Sequence, residues 1–333
     1  MNGAVRAEGK YCFRRFPVIG IVLFLTLFSC ASWGNGPPGR VARGGIAGIF
    51  REAVWATPAE TAAGPRWEPF ATEITDGLSF FAGRTASPRL VFRALRVDLT
   101  APELQIVVRE GGRPPSPPGP DRHAPDGYAL SITVSGFVRE NGLLAGMNAL
   151  PFDPASDREG EGRANAGVII VEGEIRSPPH AGFDALVFYG SGGAAIVSQE
   201  EVLALAGVRH AAGGFHRILA GGAATERTVN RTVRYPRSAA GLSAGGRYLY
   251  FLVIDGRRFG SAGATEEETA LLLRALGAED GINFDGGGSS ALALRGADGV
   301  VRVVNTPVHG GVPGRERAVA GCIGIGIKSG APP

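Results

Sequence analysis

The chain has 333 residues, 44% of them apolar, and a formal net charge of +3. That composition supports a sizeable core, and the length suits one large or two modest domains. So small a charge, with no basic stripe carrying interleaved aromatics, gives no support to nucleic-acid binding. The 52 glycines and 23 prolines favour strands and turns over a helical bundle.

In chain order, the first segment reads as an export signal. Arg6, Lys10, Arg14 and Arg15 form a basic start, and "FPVIGIVLFLTLFSC" follows as an apolar run too short for a comfortable membrane span. Its end, "LFSC", resembles a bacterial lipobox with Cys30 as the lipidated first residue of the mature protein. An ordinary signal peptide cut near "CAS" is the alternative; both readings export the protein. The expected organisation is a lipoprotein-type signal peptide over 1–30, a tether or N-terminal extension over 31–75, and a folded domain over 76–330. With Cys12 removed and Cys30 lipidated, Cys322 stands alone and reads as core packing, so no intrachain disulfide is expected.

"RLVFRALRVDL" and "LQIVVRE" read as paired strands, followed by a loop at "GGRPPSPPGP". A short helix is expected across "TVSGFVRENG", leading into "LLAGMNALPFDP". Strands follow at "AGVIIVEGEI", "DALVFYG" and "AAIVS". "SQEEVLALAG" carries a capping box, with Ser198 and Glu201, closed by Gly207. "RYLYFLVIDGR" is apolar enough to be a strand buried on both faces. "TEEETALLLRALG" has a second capping box at Thr265 and Glu268 and ends at Gly277. "GINF", a glycine-rich turn and "SALALR" then read as strand, turn, strand, before the strands "GVVRVVN" and "VAGCIGIGI". The fold class expected is α+β: a single domain with a mixed central β-sheet and peripheral helices.

The stretch "NFDGGGSS" carries the sharpest chemical signal. Gly286, Gly287 and Gly288 can adopt positive φ and turn their N–H groups onto an anion, and Ser289 and Ser290 add hydroxyls. Asp285 stands where a buried strand emerges. The pattern is neither a P-loop nor G-x-G-x-x-G, and a plain glycine turn is the alternative. In "VIDGR", Asp255 and Arg257 follow the buried run, although Asp-Gly is also a common hairpin turn. Arg237 in "RYPRSAAG" offers a planar fork for phosphate. "MNALPFDP" contributes Asn148, and "GRERAV" contributes Glu316 and Arg317. The five histidines show no spacing suited to zinc.

In this order the pieces resemble the phosphodiester glycosidase family, over about residues 85 to 328. "MNALPFD", "RYPRSAAGL", "LVIDGR", "SAGATEEETALLLRALGAEDGINFDGGGSSALAL" and "VVN" with "ERAVA" carry the likeness, and the Asp-Gly-Gly-Gly-Ser-Ser run is its most specific part. The chain departs at "NALPF", where Ala149 and Pro151 replace freer residues, and at "PRS", which keeps a hydroxyl in place of threonine. In "GSAGAT" Ser261 matches the family's serine.

The resemblance implies cleavage of a sugar 1-phosphodiester to free sugar and a phosphomonoester. Arg237, Arg257 and Arg317 are the implied phosphate clamps, with the backbone of Gly286, Gly287 and Gly288 and the Ser289 hydroxyl as a nest. Asn148 would orient the substrate, together with Ser261. Asp285 is the first choice for acid–base work, Asp255 the second and Glu316 the reserve; which of them donates, accepts or attacks stays open. No cofactor is required, and Ca²⁺ is an option if Asp255 and Asp285 converge. The expected partner is a carbohydrate phosphodiester, with membrane contact only through the N-terminal lipid. Two other functions remain: a non-catalytic surface lipoprotein that binds glycans or anions, and a metal-dependent phosphodiesterase cutting P–O. No oligomeric state is assigned.

Overall fold

Alternation along one strand explains how the sheets are layered. In Tyr248–Ile254, Leu249, Phe251 and Val253 enter one apolar cluster, while Tyr250, Leu252 and Ile254 enter another. Successive side chains of a strand point to opposite faces, so an unbroken apolar run needs cover on both. A fully buried Leu, Phe or Ile side chain contributes roughly 1.5–3 kcal/mol.

The computed structural model describes residues 51–52, 70–110, 127–155, 158–226 and 232–328, all within the compact unit Gly44–Pro333. The signal segment with Cys30 and the loop "GGRPPSPPGP" lie outside the described residues.

Three sheets share the first cluster. The largest runs, in spatial order, Arg51–Glu52, Phe70–Thr75, Leu78–Ala86, Arg89–Asp98, Tyr248–Ile254, Arg237–Leu242, Asp280–Asn283, His216–Ala220 and Ala223–Ala224. It therefore takes in residues 70–75 of the stretch read as a tether. A second sheet orders Val301–Val303, Leu292–Arg295, Ala145–Asn148, Gly321–Ile327 and Leu104–Glu110. A third contains Asp184–Tyr189 and Val208–Gly213 at its centre. Leu95 and Phe251 from the first, Met147 and Ile323 from the second, and Leu186 and Ala212 from the third meet in the common core.

Helices cover the outer faces. Helix α1, Val134–Glu140, packs Phe137 and Val138 against Ala293 and Cys322, so Cys322 is core as expected. Helix α2, Gln199–Val202, is a single turn. Helix α3, Glu266–Leu276, buries Ala270, Leu272 and Leu273 against Leu219, Ala239 and Leu252. Its capping box forms: Thr265 Oγ1 accepts from the Glu268 N–H at 3.1 Å, and Glu268 Oε2 accepts from the Thr265 N–H at 2.9 Å. Gly277 closes it in the left-handed region, φ 110°.

Several expectations are corrected. The fold is strand-rich rather than a balanced α+β arrangement, and every named ladder is antiparallel rather than mixed. Helix α3 is a crossover of the kind that links parallel strands. However, Arg237–Leu242 lies between the two strands it joins and pairs antiparallel with both. "RLVFRALRVDL" and "LQIVVRE" do not pair: the former bonds to Leu78–Ala86 and Tyr248–Ile254, the latter to Gly321–Ile327. Their Leu95 and Leu104 belong to the same core cluster. The capping box of α2 does not form, since Ser198 Oγ accepts from Glu200 instead. Leu203 is exposed and only Gln199 and Val202 of that helix are buried, so little packing extends it.

Candidate active site

Strand direction brings the marked residues to one edge of the large sheet. Arg237 opens its strand opposite Ile254, and Ala239 lies opposite Asn283. Both neighbours run antiparallel to this strand, so their last residues lie beside its first. Asp255 and Asp285, which follow them, are delivered to the same edge.

A cavity of about 220 Å³ opens there, lined by Tyr235, Pro236, Arg237, Arg257, Gly286, Gly287, Gly288 and Arg317. Arg237 is 6% exposed; its Nε donates to the Ala264 carbonyl at 3.0 Å and its Nη1 lies 3.4 Å from Glu266 Oε1. Its buried Nη2 has no hydrogen-bond partner. Arg257, exposed and at φ 56°, and half-buried Arg317 form no ion pair with a carboxylate among the described residues. The guanidiniums of Arg237 and Arg257 each lie 5.6 Å from the Tyr235 ring centroid, within cation–π range. Burial lowers the pKa of Arg237 and Arg317 without removing their charge at neutral pH. The cavity therefore concentrates positive charge, the electrostatics of an anion site.

Gly287 takes the positive φ expected of it, 62°, and side chains crowd the turn. A Cβ on Gly287 would come within 3.0 Å of Arg257 Nη2, and one on Gly288 within 2.7 Å of Arg317 Nη2. The missing side chains admit arginines onto the turn. As an amide nest the stretch is already partly occupied. The Gly287 N–H donates to the Pro236 carbonyl at 2.8 Å, and the Gly286 N–H to the Asp285 carboxylate.

Asp285 adjoins this turn. Burial pushes its carboxyl up to about 6; Ser289, Arg317 and the Gly286 amide oppose the shift. The residue as a whole keeps partial exposure, and its neighbour Gly286 lines the cavity. Ser289, 1% exposed, donates to Asp285 and receives Arg317 Nη1 at 3.2 Å.

The other two acids are engaged elsewhere. Asp255 is 1% exposed; one oxygen takes Arg258 Nη2 at 2.6 Å, and the other takes the Thr306 N–H at 2.9 Å and Asn305 Nδ2 at 3.2 Å. Glu316 receives the Ser135 N–H at 3.1 Å and the Ser135 hydroxyl, at the start of α1. Burial raises its pKa, and Glu159 adds to the rise. Ser261 does not line the cavity: its hydroxyl donates to the Asp255 carbonyl at 2.6 Å and accepts from the Val91 N–H at 3.0 Å. Asn148, 1% exposed, is engaged by Asp285, Ser238 and Ala291. Among the described residues no three His, Cys, Asp or Glu side chains gather for a metal. With both Asp255 oxygens occupied, the donor set does not fit the Ca²⁺ considered from the sequence.

A second cavity, about 150 Å³, lies at Asp98, Gln105, Arg209 and His210. Two of its charged groups are paired, Asp98 with Arg247 and Arg209 with Glu172. It holds none of the marked residues.

The phosphodiester glycosidase family model matches residues 141–326, more than half of the chain. The chain belongs to that family. The fold resembles the catalytic domain of zebrafish N-acetylglucosamine-1-phosphodiester alpha-N-acetylglucosaminidase, described as auto-inhibited by its pro-peptide. The identity there is 18% and the TM-score 0.54, covering 84% of this chain and 88% of that one. A hypothetical protein from Synechocystis matches at 13% identity and TM-score 0.49, covering 78% of this chain and 64%, less than two thirds, of the other. A protein from Burkholderia pseudomallei K96243 matches at 16% identity and TM-score 0.48, covering 72% of this chain and 74% of that one. No curated protein matches. Among the described residues no helix is long and apolar enough to cross a membrane.

Sequence reasoning passed over Tyr235, whose ring both arginines approach, although it stands two residues before Arg237 in the "RYPRS" segment. It also passed over His309, which accepts from Arg317 Nε at 3.1 Å. Neither has a spacing that marks it.

Proposed function

We propose that the protein is an exported hydrolase that cleaves a sugar from a phosphodiester-linked glycoconjugate of the cell envelope or an exopolysaccharide, releasing free sugar and a phosphomonoester. The observation that carries this reading is the pairing of an arginine-lined cavity with one carboxyl whose pKa lies near 6. In this reading Arg237, Arg257 and Arg317 take the phosphate oxygens. Their fork geometry suits phosphate, and their charge favours a departing phosphomonoester. Asp285 acts at the sugar side. A carboxyl titrating near 6 exchanges protons readily close to neutrality, and it can equally meet positive charge developing on the sugar. Asp255, Glu316, Ser261 and Asn148 build the frame. Gly286, Gly287, Gly288 and Ser289 seat the arginines and the acid. The N-terminal segment directs export, with lipid on Cys30 as the membrane attachment; fatty-acid labelling lost in Cys30→Ala would support it.

The test is hydrolysis of UDP-N-acetylglucosamine and a panel of sugar 1-phosphodiesters in oxygen-18 water, comparing wild type with Asp285→Asn. Label in the free sugar, from wild type alone, is expected. Label in the phosphate would overturn glycosidic cleavage in favour of P–O cleavage. Binding of these compounds without turnover would favour a non-catalytic receptor.

A further inference from the structure

His309 belongs to a two-residue strand, Val308–His309, paired with Val312–Pro313. It is absent from every stretch that marked the site in sequence. Its Nδ1 accepts from Arg317 Nε at 3.1 Å. The same guanidinium donates from Nη1 to Ser289 Oγ at 3.2 Å. Its Nη2 lies over Gly288, where a Cβ would sit 2.7 Å from it and 3.0 Å from His309 Nδ1. Two hydrogen bonds to one planar group fix both its position and its tilt. Without His309, Arg317 would keep one of these two hydrogen bonds, to Ser289, and could rotate about it within the field of Asp285.

We propose that His309 is a positioning residue for phosphate recognition, its Nδ1 lone pair holding Arg317 so that Nη2 faces the cavity. The inference rests on the phosphodiester reading of the cavity. An imidazole that accepts at Nδ1 is neutral, with its proton on Nε2. Burial, Arg317 and Arg257 all disfavour a charged ring here, which agrees with that tautomer. The arrangement makes His309 a selector of rotamer rather than a source of charge. It adds no cation to the cavity, but it orders one that is already present. Ordering a guanidinium before binding reduces the entropy lost when the ligand arrives.

The test uses inorganic phosphate as the probe, titrated calorimetrically into the full chain, with wild type, His309→Ala, His309→Asn and His309→Gln. Asparagine carries an acceptor one bond beyond Cγ, where Nδ1 stands; glutamine carries it one bond further out. His309→Ala is expected to weaken phosphate binding about tenfold or more, the scale of one hydrogen bond to a charged group. His309→Asn should recover most of the loss and His309→Gln should not. If wild type binds phosphate and His309→Ala binds it equally well, the positioning role is overturned and the anion site stands. If asparagine and glutamine recover equally, or neither recovers, the Nδ1 contact is not what matters and the inference fails. If wild type itself binds no phosphate, the reading of the cavity falls, and the inference with it.

Discussion

Asn148 Nδ2 donates to the main-chain carbonyl of Asp285 at 2.7 Å, joining the second sheet to the edge of the first. Its Oδ1 accepts from Ser238 Oγ at 2.7 Å and from the Ala291 N–H at 3.2 Å. One buried amide thus fixes where the acid leaves its strand. Asn148→Ala would leave three buried polar groups without partners, each costing about 1–3 kcal/mol. A loss of about 3 kcal/mol or more is expected in denaturant unfolding. A loss below about 1 kcal/mol would mean that water or repacking replaces the bracket.

Asp285 should weaken the fold at neutral pH. Its folded pKa, about 6, lies above the 3.8 of a free carboxyl. The folded state therefore prefers the protonated form. That preference is fully present below pH 4 and is lost as pH rises through 6. The deficit reaches roughly 3 kcal/mol at most, at about 1.4 kcal/mol per unit. Asp285→Asn carries no charge to desolvate, so its stability relative to wild type should grow between pH 4 and 6 and level off above. Unfolding curves at pH 4 and pH 7 check this; an equal difference at both would exclude the raised pKa.

Two of the arginines should separate binding from folding. Arg257 is exposed, so Arg257→Ala should leave the unfolding free energy within about 0.5 kcal/mol, as for most surface changes. It should still raise KM about 10- to 100-fold through the loss of charged hydrogen bonds to phosphate. Arg237→Ala removes a buried guanidinium together with its hydrogen bond to the Ala264 carbonyl and its ion pair with Glu266. It should cost stability and binding together. Unaltered KM in both variants would remove the arginines from substrate recognition.

Asp255 is expected to act through the fold. Its carboxylate joins Arg258, Asn305 and Thr306, and breaking such a buried pair costs about 3–5 kcal/mol. Asp255→Ala should unfold at markedly lower denaturant. The folded fraction should lose far less activity than Asp285→Asn. A stable but inactive variant would return Asp255 to the chemistry.

Neighbouring glycines should respond differently. A Cβ on Gly288 meets the tip of Arg317, which can swing aside, so Gly288→Ala should fold and lose substrate affinity. A Cβ on Gly286 would sit 2.7 Å from the Pro236 carbonyl, which is backbone and cannot yield cheaply. Gly286→Ala should therefore lose folded protein, as read by circular dichroism and unfolding. The reverse order would show that Arg317 is held more rigidly than the backbone.

Local sequence alone determined the elements whose causes are local. The Thr265–Glu268 capping box and Gly277 lie within one helix, and the run from Tyr248 to Ile254 carries its own requirement for cover on both faces. The Asp-Gly-Gly-Gly-Ser-Ser turn was likewise legible, because consecutive glycines are costly unless something crowds them. Tertiary structure decided what crowds them, namely Arg257 and Arg317, and which acid lies beside that turn. Asp255 reads in sequence much like Asp285, yet Asn305 and Thr306, about 50 residues further on, occupy it. Glu316 is claimed by Ser135, 181 residues earlier. The Arg89–Asp98 strand likewise took Tyr248–Ile254 on its free side instead of Leu104–Glu110, the next strand in sequence. Propensity and alternation act within a few residues of chain. Hydrogen bonds between distant donors and acceptors form only once the sheets have packed, and those bonds give carboxylates of similar sequence context different surroundings.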